Sequence, residues 1–351
     1  MLTIDGSSGL GSGQLTRFAL AFSTLMDVPV RIHNIRAGRT DPGLKAQHLH
    51  ALLALQHLCG ARVEGATLGS SDVTFTPGPL QGGMVKINIG TAGSITLLLQ
   101  NLLLPALFCQ EPVTLDVRGG TDVLGAPTLD YFQYVLLPFF RPYAQEITLN
   151  VRQRGYFPQG GGRVLFSLMP KYHRTDFSSF AQFLHFLRAQ ERPLSFVEMG
   201  TPGDVTCYSV ASEELQKASV VERQVKAVRH LLGTRFTVHA KTSYVPSLGV
   251  GSSCCVVLPT STTILGGDSL GAPGKRAEIV GAEACADLLT AVAASAGVDR
   301  HTADNLVPLL VLFTGSLSTS EITEHTKTAL WVLQQFVEFG LTVTEKKITV
   351  L

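Results

Sequence analysis

An order of elements met in the first 76 residues returns about 83 positions later. In the first copy Ile4 opens a short strand, residues 6–13 form a turn of small residues, and 15–26 read as an apolar helix. Val28-Pro29-Val30 then begins a strand that ends at Ile35-Arg36-Ala37-Gly38. In the second copy a strand at 87–89 enters Gly90-Thr91-Ala92-Gly93-Ser94, a helix covers 95–108, and Pro112-Val113 begins a strand ending at Val117-Arg118-Gly119-Gly120. Both copies go on to a Thr-Asp pair (Thr40-Asp41, Thr121-Asp122), a proline (Pro42, Pro127) and a second apolar helix. Alternation then marks strands at 72–76, and at 146–151 with 164–168. Two helices on one face of a small sheet leave apolar surface that only neighbouring units can cover, so such a chain must stack its repeats.

A third, less regular copy follows. Residues 277–294 read as a helix, 306–313 as a buried strand or short helix, 325–339 as a helix and 341–349 as closing strands. Between 170 and 274 the character changes. Polar clusters at 171–179, an amphipathic helix around 213–232, alternating strands at 236–241 and 254–258 and a Gly-Pro-rich exit at 266–274 read as a smaller inserted α/β domain. The expected architecture is α/β (α+β): a large domain of three βαβαββ-type units over 1–180 and 276–351, interrupted by a small α/β domain over 181–275.

A length of 351 residues fits about two domains at roughly 150 residues each. With 45% hydrophobic and 16% charged residues the chain has the composition of a folded protein, not a disordered one. Its apolar runs, such as 102–109 and 306–313, fall well short of the roughly 18 residues of a membrane span, so no membrane partner is expected. Met1 leads straight into Leu2-Thr3-Ile4-Asp5 without a basic segment and apolar core, so the expected compartment is intracellular, cytoplasmic by default and nuclear in a eukaryote. Six cysteines form no CxxC pair and no zinc spacing, and no residue is assigned to a metal. The 28 basic residues nearly balance 27 acidic ones, for a net charge of +1. Contact with a polyanion must therefore come from a local basic cluster.

Gly6, Gly9, Gly11 and Gly13 stand between a strand and a helix, where backbone amides can approach a phosphate. No Lys-Ser/Thr follows them and the spacing is not GxGxxG, so a tight structural turn and a binding loop both remain open. Arg36 and Arg39, followed by Lys45 and His48 and joined by Arg17 on the first helix, would form an anion site, since guanidinium forks grip phosphate oxygens. His325 stands near a helix start, where the macrodipole keeps an imidazole neutral and able to act as a nucleophile. His48, His50 and His57 lack the carboxylate or cysteine neighbours of a metal site and read as structural. Asp304 reads as a helix cap. No Ser-His-Asp triad, HExxH or paired-carboxylate signature is present. The residue patterns by themselves lead to an anion-binding α/β protein.

A set of motifs carries a more specific resemblance. Ile4-Asp5-Gly6, the Gly-rich turn ending at Gln14, residues 35–39 with Pro42-Gly43-Leu44 and Gln47-His48-Leu49, and Thr91-Ala92-Gly93-Ser94 with Gln100 come first. Gly119-Gly120-Thr121, Arg154-Gly155-Tyr156-Phe157-Pro158 with Gly160-Gly161-Gly162, and His325-Thr326 with Thr328 follow. In this order, over nearly the whole chain except 181–275, they resemble the RNA 3'-terminal phosphate cyclases. The resemblance implies the three-unit domain with a small insert. It also implies ATP-dependent conversion of an RNA 3'-terminal phosphate to a 2',3'-cyclic phosphate through a covalent histidine-AMP intermediate, a ligase-type nucleotidyl transfer with the RNA 3' end as partner. By the same matching His325 is the nucleophile, and Gln100, Pro127, His301, Asp304 and Asn305 fall at nucleotide-binding positions. Arg17, Arg36 and Arg39 are the choice for holding the substrate phosphate.

Two departures stand out. Leu10 occupies a place where family members usually carry a glutamate associated with the divalent ion, and leucine cannot ligate a cation. The ion, magnesium by expectation, is then expected to arrive with ATP. His301 replaces a tyrosine expected to stack on adenine and offers a smaller face. Loss of the acidic residue points toward the family's non-catalytic branch, which acts in ribosomal RNA processing; His325 points away from it, because that branch lacks the nucleophile. The enolpyruvyl transferases share the repeated architecture but not these motifs.

Overall fold

In the computed structural model the described residues are 1–9, 11 and 13–351. The first unit runs β1 (Leu2–Asp5), α1 (Gly13–Met26), β2 (Val30–His33), α2 (Ala46–Cys59), β3 (Arg62–Glu64) and β4 (Val73–Thr76). β1 and β2 lie parallel with Ile4 beside Ile32, β4 returns antiparallel to β2, and β3 closes the edge in the order β1-β2-β4-β3. The second unit runs β5 (Gly83–Asn88), α3 (Ile95–Ala106), β6 (Val113–Gly119), α4 (Leu129–Tyr131), β7 (Ala144–Gln153) and β8 (Gly162–Pro170). Its order β5-β6-β8-β7 has the same parallel pair followed by the same antiparallel returns. The repeat in sequence is a repeat of topology. α4 is short because the chain continues as a π turn and two 3-10 turns through Pro138 and Pro142, which lack the N–H that a regular helix needs.

Next come α5 (Phe180–Gln190) and β9 (Leu194–Phe196), and then β10 (Val205–Ser212), α6 (Val220–Leu232), β11 (Val238–Val245), β12 (Ser252–Pro259), β13 (Ile264–Leu270) and α7 (Ala277–Ala293). The chain closes with α8 (Arg300–Phe313), β14 (Gly315–Ser318), α9 (Glu324–Gln334), β15 (Leu341–Val343) and β16 (Lys347–Val350). β9 pairs in parallel with β14, β16 is antiparallel to β14, and β15 closes the edge, so the third unit repeats the pattern of the first two. Residues 306–313, open between strand and helix in the sequence, are the second half of α8.

The boundaries of the insert differ from the expected 181–275. Phe183 and Leu187 of α5 and Leu194 of β9 lie in the core shared by the three units. α7, expected in the third unit, instead packs Val280, Ala284 and Leu288 into a second core with Cys254 and Val256 of β12 and Leu265 of β13. The small domain thus interrupts the third unit between its first strand and its first helix. A three-residue strand is too short to declare a period, and an apolar helix face does not say which sheet it covers. The two necks of the insert lie side by side. A Cβ on Gly297 would meet the Phe196 carbonyl at 1.8 Å. Ser318 ties both necks, its Oγ donating to the Val197 carbonyl at 2.6 Å and accepting from the Gly297 N–H at 2.8 Å. Among the described residues no helix is long and apolar enough to cross a membrane.

Candidate functional site

Parallel strands feed helices in all three units, and the starts of six of those helices open onto one cavity of about 650 Å³. Gly13, Gln14 and Arg17 reach it from α1, Gln47 and His48 from α2, Leu97, Gln100 and Asn101 from α3. Gly125, Ala126, Pro127 and Tyr131 come from the approach to α4 and its last residue, His301, Asp304 and Asn305 from α8, and His325 from α9. Crevices at the carboxyl ends of parallel strands collect helix N-termini, whose free N–H groups and dipoles favour anions. A chain of net charge +1 thereby concentrates positive potential in one place.

The nine residues singled out in the sequence, Arg17, Arg36, Arg39, Gln100, Pro127, His301, Asp304, Asn305 and His325, all stand in this wall. Arg17 is 6% exposed, and its guanidinium donates through Nη1 to the Gln100 carboxamide while Nε, also buried, has no hydrogen-bond partner among the described residues. Burial pushes its pKa down to about 10, against the pull of Asp304, so it stays charged at neutral pH. Arg36 takes a left-handed turn at φ +56° and donates to the carbonyls of Asp41 at 2.8 Å and Gly43 at 3.2 Å. Arg39, three residues on, stays exposed at the rim.

His325 is the second residue of α9, whose start is capped by the Thr323 hydroxyl accepting the Thr326 N–H. Its Nδ1 lies 2.6 Å from Oε1 of Gln14. A carboxamide oxygen only accepts, so Nδ1 carries the proton and Nε2 keeps its lone pair. Burial lowers the His325 pKa and the charges of Arg17 and Arg39 add to that; Asp304 opposes without reversing it. The site therefore holds a neutral imidazole. Asp304 is not a cap: it sits inside α8 and its Oδ1 accepts from the hydroxyls of Thr323 at 2.5 Å and Thr326 at 2.6 Å, clamping α8 to the start of α9. The cap of α8 is Asp299.

Asp299 is a buried junction. It accepts from the N–H of His301 at 3.1 Å and of Thr302 at 2.9 Å, from the Tyr131 hydroxyl at 2.5 Å, and from the N–H of Gly266 at 3.2 Å in the small domain. His301 reaches the small domain as well, with Nε2 3.3 Å from Asp287 on α7. Burial disfavours the imidazolium, but Asp287, Asp299 and Asp304 outweigh it and raise the His301 pKa. Asn305 donates to the His301 carbonyl at 2.8 Å.

Several lining residues were not among those singled out as site residues in the sequence. His48, read as structural, is set in the wall, where burial pushes its pKa down to about 4 with Arg36, Arg17 and Lys45 adding to the effect. Gly13 is glycine because a Cβ there would meet His48 Nε2 at 2.2 Å. Asp268 of β13 was hidden in the stretch read as a Gly-Pro-rich exit. Gln14 was visible as the end of the Gly-rich turn, but its partner lies 311 positions away. Leu10 lies outside the described residues. Among those described, no group of three or more His, Cys, Asp or Glu side chains is arranged to hold a metal ion.

Arg154, from the Arg-Gly-Tyr-Phe-Pro motif, is buried between Asp122 at 3.1 Å and Asp130 at 2.7 Å. Asp122 also accepts the Leu129 N–H at 3.2 Å, which steadies the start of α4.

The family model for RNA 3'-terminal phosphate cyclase matches residues 8–343 of the chain. Curated relatives named RNA 3'-terminal phosphate cyclase include one from Pyrococcus furiosus, 40% identical over 96% of this chain and 93% of its own length. Another, from Archaeoglobus fulgidus, is 37% identical over 96% of each chain, and one from Staphylothermus marinus is 36% identical over 96% of this chain and 92% of its own. A match of this extent, spanning all three units and the insert, makes the chain a member of the RNA 3'-terminal phosphate cyclase family.

Proposed function

We propose that the protein converts an RNA 3'-terminal phosphate to a 2',3'-cyclic phosphate at the expense of ATP, with His325 carrying AMP between the two substrates. The observation that carries this reading is the neutral His325 imidazole, its Nδ1 proton held by Gln14, in a cavity walled by Arg17, Arg36 and Arg39. In the first step Nε2 attacks the α-phosphorus of ATP, the N–P bond forms and pyrophosphate leaves. An oxygen of the RNA 3'-phosphate then displaces the histidine nitrogen, giving a phosphoanhydride to AMP. The adjacent 2'-hydroxyl attacks the RNA phosphorus, AMP leaves and the cyclic ester remains. The arginines and helix starts hold phosphates in line and stabilise charge at each transfer.

The buried Arg17 with an unpartnered Nε fits a phosphate ligand, which offers the acceptor it lacks. A divalent cation, entering on the nucleotide, would neutralise phosphate charge through oxygen and water ligands. Incubation with α-labelled ATP followed by denaturing electrophoresis tests the reading. Wild type should retain an acid-labile label and His325→Ala should not; the labelled protein should then cyclise RNA ending in a 3'-phosphate and leave a 3'-hydroxyl end untouched. Absence of label in wild type supports instead a cyclase-like binding protein of ribosomal RNA processing. Label persisting in His325→Ala places the nucleophile elsewhere.

A further inference from the structure

The cavity has two chemically different ends. Unit one supplies Arg36, Arg39 and His48, all donors or cations. The inserted domain supplies Asp268, tied to Thr128 beside Pro127 and within reach of the His301 charge. His325 lies between, close enough to Arg17, Arg39, Asp304 and His301 to respond to each of their charges. Asp268 responds to the charges of His301 and Asp122. A nucleotide spanning this axis, as the proposed function requires, would lay its phosphates on the cationic end and its base on the other.

Asp268 is held there by a rigid frame. Its Oδ2 accepts the Thr128 N–H at 2.6 Å, and the Thr128 hydroxyl adds to the hold on the carboxylate. Thr128 also caps α4, accepting the Tyr131 N–H at 3.2 Å, and the Pro127 carbonyl accepts the Thr96 hydroxyl at 2.9 Å. The carboxylate is thus fixed to the proline segment while it lines the cavity, where a ligand can reach it. Burial pushes the Asp268 pKa up to about 6, so at neutral pH the group is still largely an ionised acceptor.

We propose that Asp268, contributed by the inserted domain, is a specificity residue for the nucleobase: its carboxylate accepts the 6-amino group of adenine and repels a 6-oxo purine. The inference rests on the reading of this cavity as a nucleotide site. An amino group in place of an oxo group exchanges a donor for an acceptor, and a carboxylate can pair only with the former. The small domain would therefore complete the site by choosing its nucleotide.

The test uses the full chain and two readouts: equilibrium binding of AMP and IMP, and covalent labelling from α-labelled ATP and ITP. Wild type should favour the adenine ligand by at least about tenfold, the scale of one charge-assisted hydrogen bond. In Asp268→Asn the amide oxygen can keep the Thr128 N–H and the NH2 group turns to the ligand, so the preference should fall to within about threefold or reverse in both readouts. Wild type binding IMP as well as AMP overturns the proposal without any variant. An unchanged adenine preference in Asp268→Asn overturns it too. If wild type binds neither AMP nor IMP and takes no label, the failure belongs to the nucleotide reading of the cavity itself, and the Asp268 assignment falls with it.

Discussion

Arg17 and Gln100 stand 83 positions apart, the offset of the first two repeats, and the Arg17 guanidinium donates directly to the Gln100 carboxamide oxygen. Corresponding places on two first helices therefore meet. Gln100 is the sixth residue of α3 and Asn305 the sixth of α8, and both join Arg17 in walling the cavity. Repetition has given three units one inward-facing position, and divergence has filled it with a cation and two carboxamides.

The Gln14 contact should set the pH range of His325. Replacing the carboxamide by a carboxylate in Gln14→Glu favours the imidazolium and raises the pKa, so the acid limb of the labelling rate should move to higher pH. Gln14→Leu should leave less orientation and slow labelling by about tenfold, on the scale of one lost hydrogen bond. Rates of label uptake between pH 5 and 9 decide the matter; coincident acid limbs for wild type and Gln14→Glu would show that Gln14 does not govern this proton.

His48 should make the fold acid-sensitive. Its pKa is about 4 in the folded chain, against an ordinary value near 6.5 when unfolded. As pH falls from 7 the unfolded chain takes up the proton and the folded chain does not, so stability declines between about pH 6.5 and 4 and the loss is complete below that. At pH 5 the decline due to this residue is about 2 kcal/mol. Urea unfolding at pH 7 and pH 5 should show a smaller drop for His48→Asn than for wild type.

Arg39 is exposed at the rim, where an incoming RNA end would meet it first. Arg39→Ala should weaken binding of 3'-phosphate RNA by about ten- to a hundredfold, from about 1.5–3 kcal/mol for a charge-assisted contact, and affect ATP less. Equal losses for both ligands, measured by competition binding, would assign Arg39 a general electrostatic effect.

Arg154 should matter to stability. Arg154→Ala leaves Asp122 and Asp130 buried without their cation, which should cost about 3–5 kcal/mol in urea unfolding at neutral pH. Fluorescence and circular dichroism should report the same midpoint. A loss under 1 kcal/mol would mean that water reaches the pair.

The repeat and the α/β class were legible because periodic apolar residues and strand-to-helix turns obey local rules, as at β1–α1 and β5–α3. The arginines at 36 and 39 were visible as a cluster for the same reason. Long-range closure was not. Asp304 looked like a cap because an acidic residue before an apolar run normally is one; only the approach of α9 makes it a clamp. His48 was visible beside the arginine cluster, but the burial that, ahead of Arg36 and Arg17, lowers its pKa comes only with the packed wall. Asp268 was lost to a glycine-rich stretch that pairs as β13 only when β12 is beside it.

The adjoining necks of the insert bear on how the chain acquires activity as it folds. Units one and two can each close from neighbouring segments, but β9 and α8 are separated by roughly a hundred residues. Bringing such ends together costs about 4 kcal/mol of loop entropy unless the small domain has already folded and shortened the gap. Synthesis from the amino terminus delivers the segments of units one and two first, while α8 and α9, with His301, Asp304 and His325, arrive last. The cavity wall is complete only once α8 and α9 are in place, so a chain truncated before them would carry Arg17, Arg36 and Arg39 without His325.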